Sequence, residues 1–259
     1  MRCGKDVLMD KPGAVTLGQL AELERVQAET GRIYAVWFSE HFTSRSTEKA
    51  GELVKAGAIG RVIHVTGLGP HRLRKASRPG WFFKRARYGG ILCDIGAHQF
   101  EQFLFFTGAR HARVLSATVA NRANPDEPEL QDFGDVHLEA EGATGYHRLD
   151  WFTPDGLPTW GDGRLILCGT EGTIELRKYI DIAGRPGEDH LFLTDKSRVA
   201  HIDCSETPLP FAPALLADIR DRTETAMPQA HCFAALRLAL TAQKIAEERG
   251  RFEGGSHHV

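Results

Sequence analysis

The chain has 259 residues, of which 42% are apolar and 25% charged, and its formal net charge is −2. This length allows one large domain or two smaller ones, and the composition is ordinary for a soluble globular protein. The small net charge gives no electrostatic basis for binding nucleic acid or an anionic membrane surface, so we expect neither as a partner.

The first segment of the chain predicts a single βαβ unit. A short apolar strand over 7–9 is followed by Thr16, which is suited to cap a helix that Gly31 would end. Residues 33–38 are almost continuously apolar, as in a strand of a parallel sheet that is covered on both faces. One such unit is fewer than an open α/β domain normally carries, so we interpret it as a remnant.

The rest of the chain predicts an α+β arrangement. A helix over 46–56, a strand over 62–67 and a helix ending at Phe106 come first. Strand-like alternation then recurs between turn residues in five segments, 114–119, 134–140, 146–152, 165–168 and 173–176. Helices are predicted again over 211–225 and 231–249. We expect an open, mostly antiparallel sheet whose broad face packs against another copy, giving a homo-oligomer, either a dimer or a tetramer.

The run from Gly89 to His98 is the most informative motif. Asp94 and His98 are four positions apart, so a helix beginning near Asp94 would place both on one face. A proton acceptor beside a carboxylate is what oxidation of an alcohol needs, provided that a hydride acceptor is present. Taken singly, however, Asp94 could be a helix N-cap and His98 a core histidine with a satisfied hydrogen bond.

Basic residues cluster between positions 71 and 87. Such a run is more often a solvated loop than a contact for an anion or a substrate. Within it, the loop 79–88 combines aromatic rings with cations, which suits a polyhydroxylated ligand through ring stacking and hydrogen bonds. The alternative is a packed lid or an interface loop.

The sequence contains no export signal and no pattern of metal-binding residues. The N-terminus lacks an apolar stretch of signal-peptide length, and no apolar run approaches the ~18 residues of a membrane span. The five cysteines form no C-x-x-C pair, so neither a zinc site nor a disulfide framework is indicated. We therefore expect reduced thiols, no metal, no membrane partner and a cytoplasmic location.

Four segments resemble, in order, the motifs of one family. Residues 4–12 are similar to G-K-h-V-l-x-E-K-P, with Asp10 in place of the usual Glu, and 90–98 are similar to G-G-x-l-x-D-x-G-x-H. Residues 56–62 and the G-T-x-G turn within 169–175 also match. The chain thus resembles the glucose-fructose oxidoreductase, inositol dehydrogenase and rhizopine-catabolism (Gfo/Idh/MocA) family along nearly its whole length.

This resemblance implies an NAD(P)-dependent oxidoreductase that acts on a hydroxyl of a sugar, cyclitol or sugar-acid-like substrate, with NAD or NADP as cofactor. Lys11 would orient the hydroxyl and stabilise developing alkoxide charge, and Pro12 would fix the turn that aims Lys11 at the cofactor. His98 would be the general base, and Asp94 would orient the substrate or the imidazole.

The same resemblance suggests which residues contact a small polyhydroxylated substrate. His41 falls near a position where relatives often place a polar substrate contact. The remaining candidates belong to the loop that precedes the catalytic segment. They are Trp81, Lys84, Arg87 and Tyr88.

Members of the family usually carry an N-terminal Rossmann domain with a G-x-G-x-x-G fingerprint, and this sequence contains no such fingerprint. We therefore predict a remnant of a Rossmann-type βαβ unit followed by a C-terminal α+β domain with a large, open sheet. Residues 1–40 would be the residual C-terminal part of a dinucleotide-binding domain, and 41–259 a substrate-binding and oligomerisation domain. Strands at 7–9 and 33–38 should then be poorly ordered or buried against another chain. The alternative function is a non-catalytic fragment that serves as a sugar-binding or assembly module.

Overall fold

The computed structural model describes residues 1–254, which begin with the predicted βαβ unit. Strands β1 (Val7–Asp10) and β2 (Tyr34–Trp37) pair in parallel, and helix α1 (Leu17–Thr30) connects them. The Thr16 side chain accepts a hydrogen bond from the backbone N–H of Gln19, and Gly31 ends the helix with a φ of 60°. The local capping signals in the sequence therefore set both ends of α1 as predicted.

Strand β2 is buried inside the chain rather than against another copy. Tyr34 stacks on the ring of Phe233, with 5.9 Å between ring centroids, and its N–H donates to Gln229. The prediction that this strand is poorly ordered or covered by another chain is therefore wrong, because the C-terminal helix covers it. Leu8 and Met9 of β1, by contrast, are exposed.

The middle of the chain is a series of helices around one long strand. Among residues 1–254 no helix is both long enough and apolar enough to cross a membrane. Two short turns of 3-10 helix, at Lys75–Ser77 and Gly80–Phe83, precede the segment that contains Asp94. The elements are α2 (Ser39–Phe42), α3 (Arg45–Lys55), β3 (Val62–Pro70), α4 (Arg85–Tyr88), α5 (Ile91–Asp94) and α6 (Gly96–Thr107).

Strand β3 lies in a large eight-stranded sheet with the order β10-β9-β8-β7-β3-β6-β5-β4. Its other strands are β4 (Arg113–Ala120), β5 (Phe133–Ala140), β6 (Ala143–Asp150), β7 (Arg164–Gly169), β8 (Thr173–Arg177), β9 (His190–Thr194) and β10 (Val199–Ile202). Neighbouring strands are antiparallel except for β3 and β6, which are parallel. The predicted open, mostly antiparallel sheet is confirmed, although β9 and β10 were not predicted.

The two faces of this sheet differ in chemistry. Val65, Leu167 and Ile174 are register partners on the inner face and are fully buried. The residues that alternate with them along the strands point to the outer face. There a row of mixed polar and apolar side chains crosses the sheet. That row is Ser116, His137, Tyr146, Thr66, Ile166, Glu175, Phe192 and His201.

The helices pack on the inner face and build the core there. Phe100 and Phe103 of α6 are fully buried, and a Cβ at Gly145 of β6 would come within 2.8 Å of the Phe103 ring. Glycine at that position therefore lets α6 approach the sheet closely. Two C-terminal helices complete the layer, α7 (Phe211–Asp221) and α8 (Gln229–Gly254). Helix α6, which follows the Asp94 segment directly, is thus held rigidly between the sheet and α8.

Candidate active site

Lys11 and Asp94 form an ion pair where β1 ends. The Lys11–Pro12 peptide bond is cis, and Lys11 Nζ donates a hydrogen bond to Asp94 Oδ1. The side chain of Asp94 is 8% exposed and that of Lys11 is 21% exposed. Asp94 Oδ2 is buried and has no hydrogen-bond partner in the described part of the chain. An acceptor without a partner thus lies beside an ammonium group, a pair of groups that can bind a substrate hydroxyl.

The glycine pair before Asp94 sets where the carboxylate lies. Gly89 and Gly90 have φ values of 87° and 86°, a region that L side chains rarely adopt. Gly90 also lies against the side chain of Gln243 on α8, and the N–H of Leu92 donates to Gln243 Oε1 at 3.1 Å. The one-turn helix α5 is therefore anchored to α8, and Asp94 is its last residue.

The helix expected to begin near Asp94 consists of two helical pieces that meet there. Asp94 ends α5, Ile95 is the junction, and the N–H of His98 donates to the carbonyl of Ile95 at 3.2 Å in the first turn of α6. In residues 1–254 no hydrogen bond joins the Asp94 and His98 side chains. Asp94 does not cap α6 either, since Ile95 holds the N-cap position without a side-chain bond.

His98 is buried within electrostatic range of Lys11. Its ring meets that of Phe38 edge-on, at 6.4 Å between centroids, and its Nδ1 is buried without a hydrogen-bond partner among the described residues. It is therefore not a core histidine with a satisfied hydrogen bond. Burial lowers the pKa of His98 to about 4, with Glu40 acting in the opposite direction and Lys11 in the same direction. The imidazole is therefore neutral at physiological pH.

A buried network that sequence reasoning missed lies behind His98. Gln102 Nε2 donates to the carbonyl of His98 at 2.8 Å, and Lys178 Nζ donates to Gln102 Oε1 at 2.7 Å. Lys178 Nζ is 3.4 Å from Glu40 Oε2, and His71 Nε2 is 3.2 Å from Glu40 Oε1. Burial disfavours the charged carboxylate, yet Lys178 and His71 lower the pKa of Glu40 overall. The network ties the start of α6 to α2 and to the end of β8.

Lys11 and Asp94 open onto a cleft of about 660 Å³. Trp81 is exposed at its rim, whereas Tyr88 is buried and its hydroxyl accepts a hydrogen bond from the N–H of Gln131. The structure brings most of the predicted site residues to this cleft, namely Lys11, Pro12, Trp81, Arg87, Tyr88 and Asp94. Gln19, Arg78 and Phe82, which were not among the predicted site residues, also line it.

Three predicted site residues lie outside the lining of this cleft. His98 is buried, as described above. Lys84 forms a surface ion pair with Glu129 at 3.1 Å. His41 lines a separate pocket of about 310 Å³, where its Nδ1 is 3.0 Å from the carboxylate of Glu101. Substrate contacts by Lys84 and His41 stay predictions, and the function proposed below does not depend on them.

The described residues fit only the reacting end of a nicotinamide dinucleotide. The open Asp94 Oδ2 beside Lys11 gives a place where a substrate hydroxyl could meet a nicotinamide ring. The sequence has no G-x-G-x-x-G loop for the pyrophosphate. Within residues 1–254, no group of His, Cys, Asp or Glu is arranged to hold a metal ion.

Comparison with known proteins identifies similar sequences. Residues 47–175 match the family model of the GFO/IDH/MocA C-terminal domain. Over 66% of its length the chain is 27% identical to scyllo-inositol 2-dehydrogenase (NAD(+)) of Bacillus subtilis, covering 48% of that protein. Over 45% of its length it is 29% identical to D-glucoside 3-dehydrogenase of Escherichia coli, covering 33% of that protein. The chain thus spans half or less of the length of these curated relatives.

Solved structures show the same fold over almost the whole chain. A crystal structure from Erwinia carotovora atroseptica, of a protein assigned as an oxidoreductase, has 49% sequence identity and a TM-score of 0.92. That match covers 95% of this chain and 74% of the other. Levoglucosan dehydrogenase in complex with NADH and levoglucosan matches with a TM-score of 0.74 and 18% identity, over 96% of this chain and 73% of the other. At that identity the match shows the fold alone.

Proposed function

The chain belongs to the GFO/IDH/MocA family, and we propose on that basis that it is part of an NAD(P)-dependent oxidoreductase. Its substrate would be a sugar, cyclitol or sugar-acid-like molecule that is oxidised at a hydroxyl. The observation that carries this proposal is the Lys11–Asp94 pair with its open Asp94 Oδ2, at a cleft with aromatic and cationic walls. The relatives named for scyllo-inositol and D-glucosides support the same class of substrate.

The proposed reaction divides the work among three side chains. Asp94 Oδ2 accepts a hydrogen bond from a neighbouring hydroxyl of the substrate and so orients the substrate, and the Lys11 ammonium stabilises negative charge as it develops on the reacting oxygen. His98 is buried outside the lining of the cleft and neutral, since burial lowers its pKa to about 4, and it is the proposed acceptor of the proton of the reacting hydroxyl as the carbonyl forms. When bound, the nicotinamide cofactor supplies the acceptor for the hydride that leaves the carbon.

Within this proposal the two parts of the chain have different roles. Residues 1–40 contribute the end of a dinucleotide-binding domain, and Lys11 and Pro12 bring that end to the cleft. Residues 41–259 form the domain that binds substrate and joins copies of the chain. This division of the chain into two parts is consistent with the sheet topology, because β1 and β2 form a two-stranded sheet of their own.

Calorimetric titration with NAD+, NADP+ and their reduced forms, followed by a screen of polyols for hydride transfer, tests this function. We expect Lys11→Ala to lower kcat/KM about a hundredfold, the usual effect of removing one group that stabilises an oxyanion. Lys196→Ala is the matched control, since Lys196 is paired with Glu171 on the surface. Equal activity of Lys11→Ala and the control would contradict the proposed site. Sugar binding without binding of any cofactor at millimolar concentration would favour the alternative, a sugar-binding or assembly module.

A further inference from the structure

The cleft carries more positive charge than its own carboxylates neutralise. Three cations, Lys11, Arg78 and Arg87, line the cleft against two carboxylates, Asp10 and Asp94, and Lys11 is paired with Asp94. Arg87 is exposed, and within residues 1–254 no carboxylate forms an ion pair with it. Arg78 Nε donates to the carbonyl of Leu73 at 2.9 Å, while its Nη2 is buried and has no hydrogen-bond acceptor among the described residues.

Aromatic rings hold the Arg78 guanidinium in place. Its central carbon lies 4.4 Å from the ring centroid of Phe82, 5.0 Å from that of Trp151 and 5.3 Å from that of Trp160. Burial lowers the pKa of Arg78, and the negative charge of Asp94 counteracts this effect. A guanidinium that is partly desolvated, fixed by three rings and short of an acceptor is organised to bind an anion.

We propose that Arg78, assisted by Arg87, binds a carboxylate of the substrate, so that the substrate is a sugar acid rather than a neutral polyol. This inference rests on the proposed function, since it concerns the same cleft. The planar guanidinium matches a carboxylate with two parallel hydrogen bonds, which a neutral hydroxymethyl group cannot form. The reacting hydroxyl would meet Lys11 and Asp94 while the carboxylate meets Arg78.

A phosphate of the dinucleotide is the other anion that these arginines could bind. Trp81 lines the same cleft with an exposed ring and provides a surface for the apolar face of a sugar ring. A sugar held against Trp81 would carry its carboxylate within the same cleft as Arg78. We therefore assign the arginines to the substrate, and the experiment separates the two sources of the anion.

The test compares glucuronate with glucose, which differ by a carboxylate in place of a hydroxymethyl group, in calorimetric titrations of the 259-residue chain. We expect glucuronate to bind about tenfold more tightly or better, with a difference that shrinks as salt is added. Arg78→Gln should remove this preference, and Arg87→Gln, at an exposed position outside the core, should reduce it. Lys75→Gln is the matched control, because Lys75 lies in the same basic segment but pairs with Asp126 outside the cleft.

Each outcome separates this inference from the proposed function. Equal affinity of the unaltered chain for glucuronate and glucose would overturn the carboxylate site while leaving a polyol cleft in place. A loss of NADP+ affinity in Arg78→Gln, with glucuronate binding unchanged, would assign the arginine to the cofactor and overturn the inference. Binding of neither sugar would contradict the cleft as a substrate site, and with it both proposals. If Arg78→Gln does not fold, Arg87→Gln and the comparison of the two sugars still test whether the cleft binds a carboxylate.

Discussion

Two buried histidines make the stability of the protein depend on pH. Burial lowers the pKa of His98 to about 4 and that of His147 to about 3, from 6.5 in an exposed side chain. Neither ring nitrogen of His147 has a hydrogen-bond partner in the described residues, and its ring meets those of Phe100 and Phe103 edge-on. The unfolded chain therefore binds more protons than the folded chain between about pH 4 and 6.5. Stability contributed by the neutral rings is complete above pH 6.5 and is lost as the pH falls.

Replacing His147 removes one of the two titrating groups, so its contribution to the pH dependence can be measured. The free energy of unfolding should fall less steeply between pH 6.5 and 4.5 in His147→Leu than in the unaltered chain. We expect the slope to be smaller by about 1.4 kcal/mol per pH unit, since one titrating group is removed. Urea unfolding at several pH values measures it. His111→Leu is the control, because His111 is exposed. A pH dependence of stability that is identical in His147→Leu and the unaltered chain would contradict the lowered pKa of His147.

Sequence patterns pointed to the residues of the proposed site but not to their surroundings. Lys11, Asp94 and His98 belong to short motifs, so a resemblance could point to them without a structure. Glu40 and Lys178 are separated by most of the sheet in sequence and meet only because α2 packs beside α6 near the end of β8. No local pattern records that contact. Arg78 was counted in a basic run, and nothing in that run distinguishes a guanidinium held by three rings from a solvated one.

The anchoring of α5 can be tested at Gly90. A Cβ there would overlap the side-chain amide of Gln243, at a φ of 86° that alanine rarely adopts. We expect Gly90→Ala to lower the free energy of unfolding by about 3 kcal/mol, from backbone strain together with overpacking. Urea unfolding measures the loss. Gly80→Ala is the matched control, because a Cβ at Gly80 meets no atom within 4 Å, and it should change stability by less than about 0.5 kcal/mol. Equal stability of the two variants would contradict the anchoring.

Most elements were predictable because their signals are local. Thr16 and Gly31 bound α1 through capping chemistry, and alternation revealed β4 to β8 within a few residues. The break at Ile95 was not predictable, since its torsions of −84° and −40° are helical and the apolar pattern continues through it. The helix is interrupted in its hydrogen bonds, because contacts between the preceding turn and α8 fix the position of α5. Strands β9 and β10 are short, and β10 is half exposed, which leaves little alternation to detect.

The whole molecule has a sheet with helices on one face, and the outer face is where we predict that copies join. Exposed apolar side chains there include Ile166, 36% exposed at the centre of β7, which is flanked by Thr66 and Glu175. Two such faces related by a two-fold axis would bury these rows against each other. A mixed polar and apolar row suits an interface that also fixes register, because hydrogen-bonding side chains must meet partners.

Introducing a charge on the outer face should separate the copies without unfolding them. We expect the chain to be a dimer or tetramer at micromolar concentration, and Ile166→Glu to be a monomer with unchanged circular dichroism, because a buried unpaired carboxylate costs several kcal/mol. Sedimentation velocity measures the mass of each species. Leu216→Glu is the control, since Leu216 is 70% exposed on α7, outside the sheet, and should leave the assembly intact. A monomer for the unaltered chain, or dissociation by both variants, would contradict assembly through this face. An oligomer that survives Ile166→Glu would place the interface elsewhere, with the exposed Leu8 and Met9 of β1 as the next surface to alter.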